Sequence, residues 1–116
     1  MNEFAAATTR ATEHLRDDPR LADVDLVIEQ CVRDNGAEVE RYHVCVGGRA
    51  VRVVEGASAK PDITICQDME TARALQRGEL HAQGAYLTGR LTIEGNVQKL
   101  LQHAPLLHLL VATPDA

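Results

Sequence analysis

The chain has 116 residues, of which 45% are hydrophobic, and it carries a formal net charge of −5. This length is sufficient for one domain with its own core, which we predict over residues 1–116. The acidic balance argues against a nucleic acid partner, because phosphate binding requires clustered lysine and arginine. The longest apolar stretch, 106–112, is interrupted by His108 and is too short to span a bilayer, so we expect no stable membrane insertion.

The termini and the cysteines favour a cytoplasmic protein. The N-terminus lacks the basic and apolar regions of a secretory signal, and the C-terminus matches no retention or peroxisomal address. The three cysteines are odd in number and form no CxxC motif, which argues against a disulfide framework. Cys31, Cys45 and Cys66 all lie in predicted strands, where cysteine commonly acts as a small buried hydrophobe.

The first third of the chain predicts a helix followed by a strand. Within residues 3–16, apolar or small residues recur at the spacing of one helical face, and Pro19 ends the helix. From 24 to 33, apolar and charged residues alternate as in a strand. The following Asp34-Asn35-Gly36 sequence is a turn signal.

A β-hairpin is predicted around Gly47 and Gly48, because two glycines supply the positive φ angles of a two-residue turn. If Val46 pairs with Arg49, apolar residues meet on one face: Val44 with Val51, and Tyr42 with Val53. The opposite face then carries four small or polar side chains: His43, Cys45, Ala50 and Arg52.

The stretch from Pro61 to Asn96 predicts the order strand, helix, short helix, strand. The two strands alternate apolar with polar residues: Ile63 and Ile65 in the fourth strand, Leu91 and Ile93 in the fifth. Asp68 is a good N-cap for the first of these helices, which ends at Gly78. The short helix covers 82–88.

A last helix begins after the N-cap residue Asn96, and Pro105 should interrupt it. Its apolar positions are Val97, Leu100, Leu101 and Ala104. Every predicted strand in the chain has one apolar face and one polar or mixed face. We therefore predict a two-layer α+β fold, with helices covering one face of the sheet and the other face largely solvated.

The polar residues suggest no catalytic group, metal site or cofactor. The positions of Asp62, Asp68 and Glu94 are explained by strand and helix ends and by an outward strand face. His43 and Cys45 form an H-x-C sequence that could hold a metal or act as a nucleophile pair. However, zinc requires three or four ligands, and no third group that would orient a nucleophile is evident. The dispersed glycines form no phosphate-binding loop.

The apolar residues leave two interpretations open. Eight of them lie close together near the C-terminus: Val97, Leu100, Leu101, Leu106, Leu107, Leu109, Leu110 and Val111. They could fill a core, as interiors normally are filled. Alternatively, some of them could line a cavity, since ligand sites are lined mainly by hydrophobic side chains.

From Pro61 onward the chain resembles the sterol carrier protein-2-like domain family. The resemblance rests on an ordered set of motifs: Asp62-Ile63-Thr64-Ile65, then Gly78-Glu79-Leu80, then Ala85, and finally Gly89-Arg90-Leu91-Thr92-Ile93-Glu94-Gly95-Asn96. The glycine hairpin also lies where the family places one. Together these features cover roughly residues 20–110.

The resemblance implies a five-stranded mixed sheet with helices on one face. It also implies an apolar tunnel between the two layers that binds a fatty acid, a fatty acyl-CoA or a sterol without chemical change. By position, the residues expected to bind the ligand are Val44, Val46, Val51, Val53, Ile63, Ile65, Leu75, Leu80, Leu87, Leu91, Ile93, Leu100, Leu107 and Leu110. The scarcity of aromatic residues favours a flexible acyl chain over sterol rings.

Two other functions remain as hypotheses. The chain could be an accessory or protein-interaction module, forming a homodimer or binding a protein partner through residues 106–111. It could also be a small enzyme, if His43, Cys45 and a carboxylate converged in a cleft.

Overall fold

The computed structural model describes residues 3–15 and 17–103, so predictions that concern residues 104–116 lie outside the described part of the chain. Five strands are present: β1 (Asp25–Asp34), β2 (Ala37–Gly47), β3 (Ala50–Glu55), β4 (Ile63–Asp68) and β5 (Leu91–Gly95). The α-helices of the described ranges are α1 (Glu3–Thr12), α2 (Met69–Gln76), α3 (Ala82–Leu87) and α4 (Val97–Gln102). Two short 3-10 helices lie between α1 and β1: Glu13–Leu15 and Pro19–Leu21.

The strands form one sheet in the order β3-β2-β1-β4-β5. The central pair, β1 and β4, is parallel, and every other neighbouring pair is antiparallel. α1 contacts β3, α2 contacts β1 and β4, and α3 contacts β5. The predicted two-layer α+β fold, with helices against one face of a five-stranded mixed sheet, is confirmed.

We call the helix-covered face of the sheet the inner face. Alternation places the inward residues of neighbouring strands side by side, as when Ile28 lies between Val44 and Ile63. Phe4 of α1, Ala72 of α2 and Leu100 of α4 pack into the same core. The predicted apolar strand residues share this face: Val44, Val46, Val51, Val53, Ile63, Ile65, Leu91 and Ile93.

The predicted register of the β2–β3 hairpin is wrong by two residues. Val46 pairs with Val51 and Val44 with Val53, so the turn residues are Gly48 and Arg49. Both turn residues have positive φ, 59° and 68°. The backbone carbonyl of Arg49 accepts from the Asp18 amide at 2.9 Å, which helps hold this non-glycine residue in the left-handed conformation. Because the shift is an even number of residues, the inward faces stay as predicted.

The prediction of a largely solvated outer face is wrong for the central strand. Residues 56–62 carry the chain from β3 across β2 and β1 to β4, and they cover this face. The Ser58 amide donates to the Glu29 carboxylate at 2.7 Å, and Glu29 also pairs with Arg41. Glu29 and Cys31 are therefore buried on the outer face.

A buried carboxylate attaches α1 to the sheet. Glu40 of β2 accepts from the amides of Phe4 and Ala5, at 3.0 Å and 2.7 Å. These amides lie in the first turn of α1, where backbone N–H groups lack partners within the helix. The negative charge also suits the positive end of the helix dipole. The charge of Glu40 is thus used structurally, although the residue is only 6% exposed.

Asp62 joins three elements at the start of β4. Its carboxylate accepts from the Val27 amide at 2.7 Å and from the Lys99 ammonium at 3.0 Å. Its backbone N–H donates to the Val27 carbonyl at 2.9 Å, and its own carbonyl accepts from the Asn96 amide at 2.8 Å. This junction connects β1 and β4 to the start of α4.

The junction requires glycine at position 95. Gly95 has a φ of 107°, and a Cβ there would lie 2.4 Å from the Asp62 carbonyl oxygen. The two neighbouring helix caps follow the prediction: Asp68 accepts from the Thr71 amide and Asn96 from the Lys99 amide.

Replacing Gly95 with alanine should destabilise the protein by more than about 2 kcal/mol, because a strained φ and a backbone clash act together. Urea unfolding would measure the change. The matched control is Gly84→Ala, because Gly84 lies in α3 with open space around it. That control should be neutral or stabilising by up to about 1 kcal/mol. Equal effects at both positions would contradict the close approach at Asp62.

Replacing Glu40 with glutamine should lower the free energy of unfolding by about 2 kcal/mol, because two charge-assisted hydrogen bonds to α1 are weakened. The matched control is Glu94→Gln on the exposed side of β5, which should change stability by less than about 0.5 kcal/mol. Loss of α1 amide protection in hydrogen exchange would locate the effect. If α1 stayed protected and Glu40→Gln were as stable as the control, the proposed role of Glu40 would be wrong.

Candidate functional site

The candidate site is the part of the inner face that the described helices leave incompletely covered. Ile65 of β4 and Ile93 of β5 lie opposite each other in register and are only partly buried. Met69, at the start of α2, is also partly buried against the core. Partly exposed apolar side chains on the face that packs against the helices form a surface that an apolar ligand can cover.

The predicted ligand-binding residues differ in burial. Five are buried: Val44, Val46, Ile63, Leu91 and Leu100. Six are partly buried: Val51, Val53, Ile65, Leu75, Leu80 and Ile93. Nine of these residues are thus buried in the core or packed against it, whereas for Leu75 and Leu80 the structure shows partial burial alone. Leu107 and Leu110 lie outside the described residues.

Leu87 does not join this group, because its side chain is 74% exposed. In α3 the fully buried residue is Ala85. Successive helix residues are rotated by about 100°, so a residue two positions after Ala85 faces almost the opposite way. Leu101, which directly follows the buried Leu100 and is rotated from it by about 100°, is 66% exposed.

Polar residues also lie on the inner face, and they were not predicted. Gln30 of β1 and Gln67 of β4 share this face, and the Gln67 Nε2 donates to the Gln30 Oε1 at 2.9 Å. The sequence contained a signal for both. Gln30 occupies an apolar position of the alternation between Ile28 and Val32, and Gln67 follows Ile65 at the same spacing.

Tyr42 adds a phenol to the inner face. Burial raises its pKa to about 12, so the phenol is neutral at physiological pH. Its hydroxyl lies 3.1 Å from the Thr8 hydroxyl of α1. The side chain is 5% exposed, and this contact gives its polar end a partner inside the core.

The outer face carries the histidine and cysteine side chains of β1, β2 and β4. His43 donates from Nδ1 to the Gly56 carbonyl at 2.9 Å, an interaction with the crossover segment. Cys31 and Cys66 are register partners on the parallel strands β1 and β4. Burial and the neighbouring Cys66 raise the pKa of the Cys31 thiol. Within residues 3–15 and 17–103, no group of three or more His, Cys, Asp or Glu side chains could hold a metal ion.

A separate pocket of about 350 Å³ lies at the hairpin end of the sheet. It is lined by Asp25, Leu26, Val27, Cys45, Val46, Gly47, Ala50 and Arg52. Most of these residues belong to the outer face. The pocket contains one predicted ligand-binding residue, Val46, and is not the space expected between sheet and helices.

The sequence of the chain matches the model of the SCP-2 sterol transfer family over residues 5–108. The chain belongs to this family. The family resemblance that the Pro61–Asn96 motifs indicated is therefore confirmed. The match covers all the described strands and helices except the first two residues of α1. No curated protein matches the chain significantly.

Solved structures of SCP-2 proteins have the same fold. Sterol carrier protein-2 like-3 from Aedes aegypti is 15% identical with a TM-score of 0.69, covering 93% of this chain and 98% of that one. The palmitated SCP2L2 from Aedes aegypti is 20% identical with a TM-score of 0.65, and the coverage is 90% and 87%. At these identities the likeness shows the fold alone.

The same fold also occurs as a small part of a larger enzyme. The inverting sec-alkylsulfatase Pisa1 from Pseudomonas sp. is 16% identical with a TM-score of 0.55. The match covers 91% of this chain but 14% of the sulfatase chain. No helix in the described ranges is long and apolar enough to cross a membrane.

The burial of the thiols predicts their order of reaction. In the native protein, iodoacetamide should alkylate the partly buried Cys45 and Cys66 at least about 10 times faster than Cys31. Cys31 is fully buried and its raised pKa disfavours the reactive thiolate. Peptide mass spectrometry of a time course would measure the rates, and labelling in urea, where all three should react alike, is the control. Equal native rates would contradict the covered outer face.

Proposed function

We propose that the chain binds an apolar lipid without chemical change, in a tunnel between the inner face and the helices, and can pass it to other acceptors. One observation carries the proposal: Ile65 and Ile93 are register partners on the inner face, and both are only partly buried, as is Met69 of α2. Each CH₂ group of a ligand that is buried there gains about 0.8 kcal/mol. Burial of a long chain can therefore exceed the cost of ordering the ligand.

The composition of the site supports an acyl chain as the apolar part of the ligand. The only aromatic side chain on the inner face of the described strands is Tyr42, which is already paired with Thr8. Aliphatic side chains accommodate a flexible chain without requiring stacked rings. We propose a fatty acid or a fatty acyl-CoA before a sterol-like molecule. The palmitated state of SCP2L2 supports this order by analogy.

The extent of the lipid-binding domain is also a proposal. We propose that residues 1–116 form a single lipid-binding domain, because the family match extends over 5–108 and one sheet includes all the described strands. A cytoplasmic location remains a prediction from the sequence. No role for a cofactor is proposed.

Placing a larger side chain in the site should weaken lipid binding. The substitution Ile93→Phe adds volume beside Ile65, and the affinity for cis-parinaric acid should fall by at least about 10-fold, which fluorescence titration would measure. The matched control is Thr92→Phe, since Thr92 precedes Ile93 on the same strand but is exposed on the outer face. The control should bind like the unmodified protein.

A parallel measurement tests the proposal without substitutions. Mass spectrometry of the protein purified under native conditions should detect a lipid with a long acyl chain. If no lipid copurifies and the protein does not bind cis-parinaric acid, the lipid-binding proposal is wrong. If Ile93→Phe remains folded and binds as tightly as Thr92→Phe, the site lies elsewhere.

A second candidate function is that of a protein-interaction module. Leu87 of α3 and Leu101 of α4 are 74% and 66% exposed, and a protein partner that covered both would bury their apolar surface. The fold's occurrence within the larger sulfatase chain supports such a role by analogy. The predicted contact through residues 106–111, with a homodimer or another protein, lies outside the described residues. Native mass spectrometry would decide for or against the homodimer.

A further inference from the structure

The inner face contains a buried hydrogen-bond acceptor without a partner. The Oε1 atom of Gln67 is shielded from solvent and accepts no hydrogen bond from residues 3–15 or 17–103, whereas its Nε2 donates to Gln30 at 2.9 Å. An unpaired buried acceptor lowers stability, and folded proteins retain few of them. We therefore expect the Gln67 Oε1 atom to accept a hydrogen bond from a further donor.

The neighbours of Gln67 in the sheet do not provide that partner. In register, Gln67 lies between Val32 of β1 and Leu91 of β5, and both are buried apolar residues. The Thr71 hydroxyl is also buried without a hydrogen bond of standard geometry. It lies close enough to the Asp68 carboxylate to contribute, after the Thr71 amide, to the lowered pKa of that group. We assign this hydroxyl to the helix cap.

The free acceptor lies next to the proposed lipid site. Gln67 follows Ile65 by two residues on β4, so both side chains point to the inner face about 6.6 Å apart along the strand. Gln30 is the register partner of Ile65 on β1, and Ile93 is its partner on β5. A chain that covers Ile65 and Ile93 therefore lies directly beside the amide pair.

The charges on this face favour a neutral group at that end. At the inward positions of β1 to β5 there is no lysine, arginine or histidine, and the ionisable residues there are Asp34, Glu40, Tyr42 and Glu55. An ionised carboxylate or phosphate would have no cation on these strands to offset its desolvation. A hydroxyl or a protonated carboxyl can instead donate to one amide oxygen and accept from an amide NH₂ group.

We propose that Gln67, supported by Gln30, binds the single neutral polar group of an amphipathic lipid, a hydroxyl or an un-ionised carboxyl, whose hydrocarbon part covers Ile65 and Ile93. The inference rests on the proposed lipid-binding function and specifies its ligand class. The amide pair selects such a lipid over a plain hydrocarbon of equal length, and over one with a charged group at this end.

The test compares two ligands of similar length that differ in one hydrogen-bond donor. 1-Hexadecanol and 1-chlorohexadecane, delivered from cyclodextrin, would each displace cis-parinaric acid from the unmodified protein. We expect hexadecanol to bind about 5- to 10-fold more tightly, as one or two neutral hydrogen bonds imply. Equal affinities, as expected if a buried water alone satisfies Gln67, would overturn the inference while leaving lipid binding intact.

Variants then assign the preference to the amides. The double variant Gln30→Met/Gln67→Met keeps the length of both side chains and leaves neither amide without its partner. It should lose the preference for hexadecanol while binding chlorohexadecane at least as tightly, and its unliganded Tm should not fall. The control Gln102→Met, at an exposed position of α4, should keep the preference. A double variant that retains the preference would overturn the inference.

A further measurement avoids substitutions, in case the double variant does not fold. In the unmodified protein, the side-chain amide NMR signals of Gln67 should shift when hexadecanol binds and much less when chlorohexadecane binds. The absence of this difference would overturn the inference. If neither ligand displaces cis-parinaric acid, or the acid itself does not bind, the proposed function fails, and the inference fails with it.

Discussion

The hydrogen bonds of Asp62 are the constraint on which the arrangement of this molecule depends. Asp62 forms hydrogen bonds with the backbone N–H and C=O groups of Val27, with the Lys99 ammonium and with the Asn96 amide. The central parallel pair of strands begins at this junction, and β5 closes against it because Gly95 has no Cβ. A parallel pair has no hairpin to align it, so its register depends on contacts of this kind. The motif residues Asp62, Gly95 and Asn96 thus have a structural role in holding β1, β4, β5 and α4 together.

Each face of the sheet has a buried carboxylate, and the two carboxylates hold different segments. On the inner face, Glu40 attaches α1 by accepting from two amides of its first turn. On the outer face, Glu29 holds the crossover through Ser58 and pairs with Arg41. Each carboxylate is provided with hydrogen bonds, which offset the cost of burial. With these attachments in place, the aliphatic side chains of Ile65 and Ile93 on the inner face are still only partly covered.

Much of the fold could be predicted from local patterns. The strand alternation, the caps at Asp68 and Asn96 and the two-layer arrangement depend on residues close in sequence, and all were correct. The hairpin register was predicted wrongly, because the turn is Gly48-Arg49 and places the non-glycine Arg49 at a positive φ, whereas the sequence favoured the two glycines for such angles. The burial of Glu29 depends on the path of residues 56–62, which periodicity does not indicate. The exposure of Leu87 follows from which side of α3 contacts β5.

The sequence by itself determined the fold class, the family and the side of each strand that faces the helices, because a period of two residues assigns the faces whatever the pairing partner. Only the tertiary structure decided which apolar residues remain partly exposed and where polar groups enter the inner face. Gln30 and Gln67 come from distant parts of the chain and meet because β1 and β4 are parallel neighbours. A single sequence records each residue but not this long-range register, so the unpaired acceptor beside Ile65 is visible only in the folded chain.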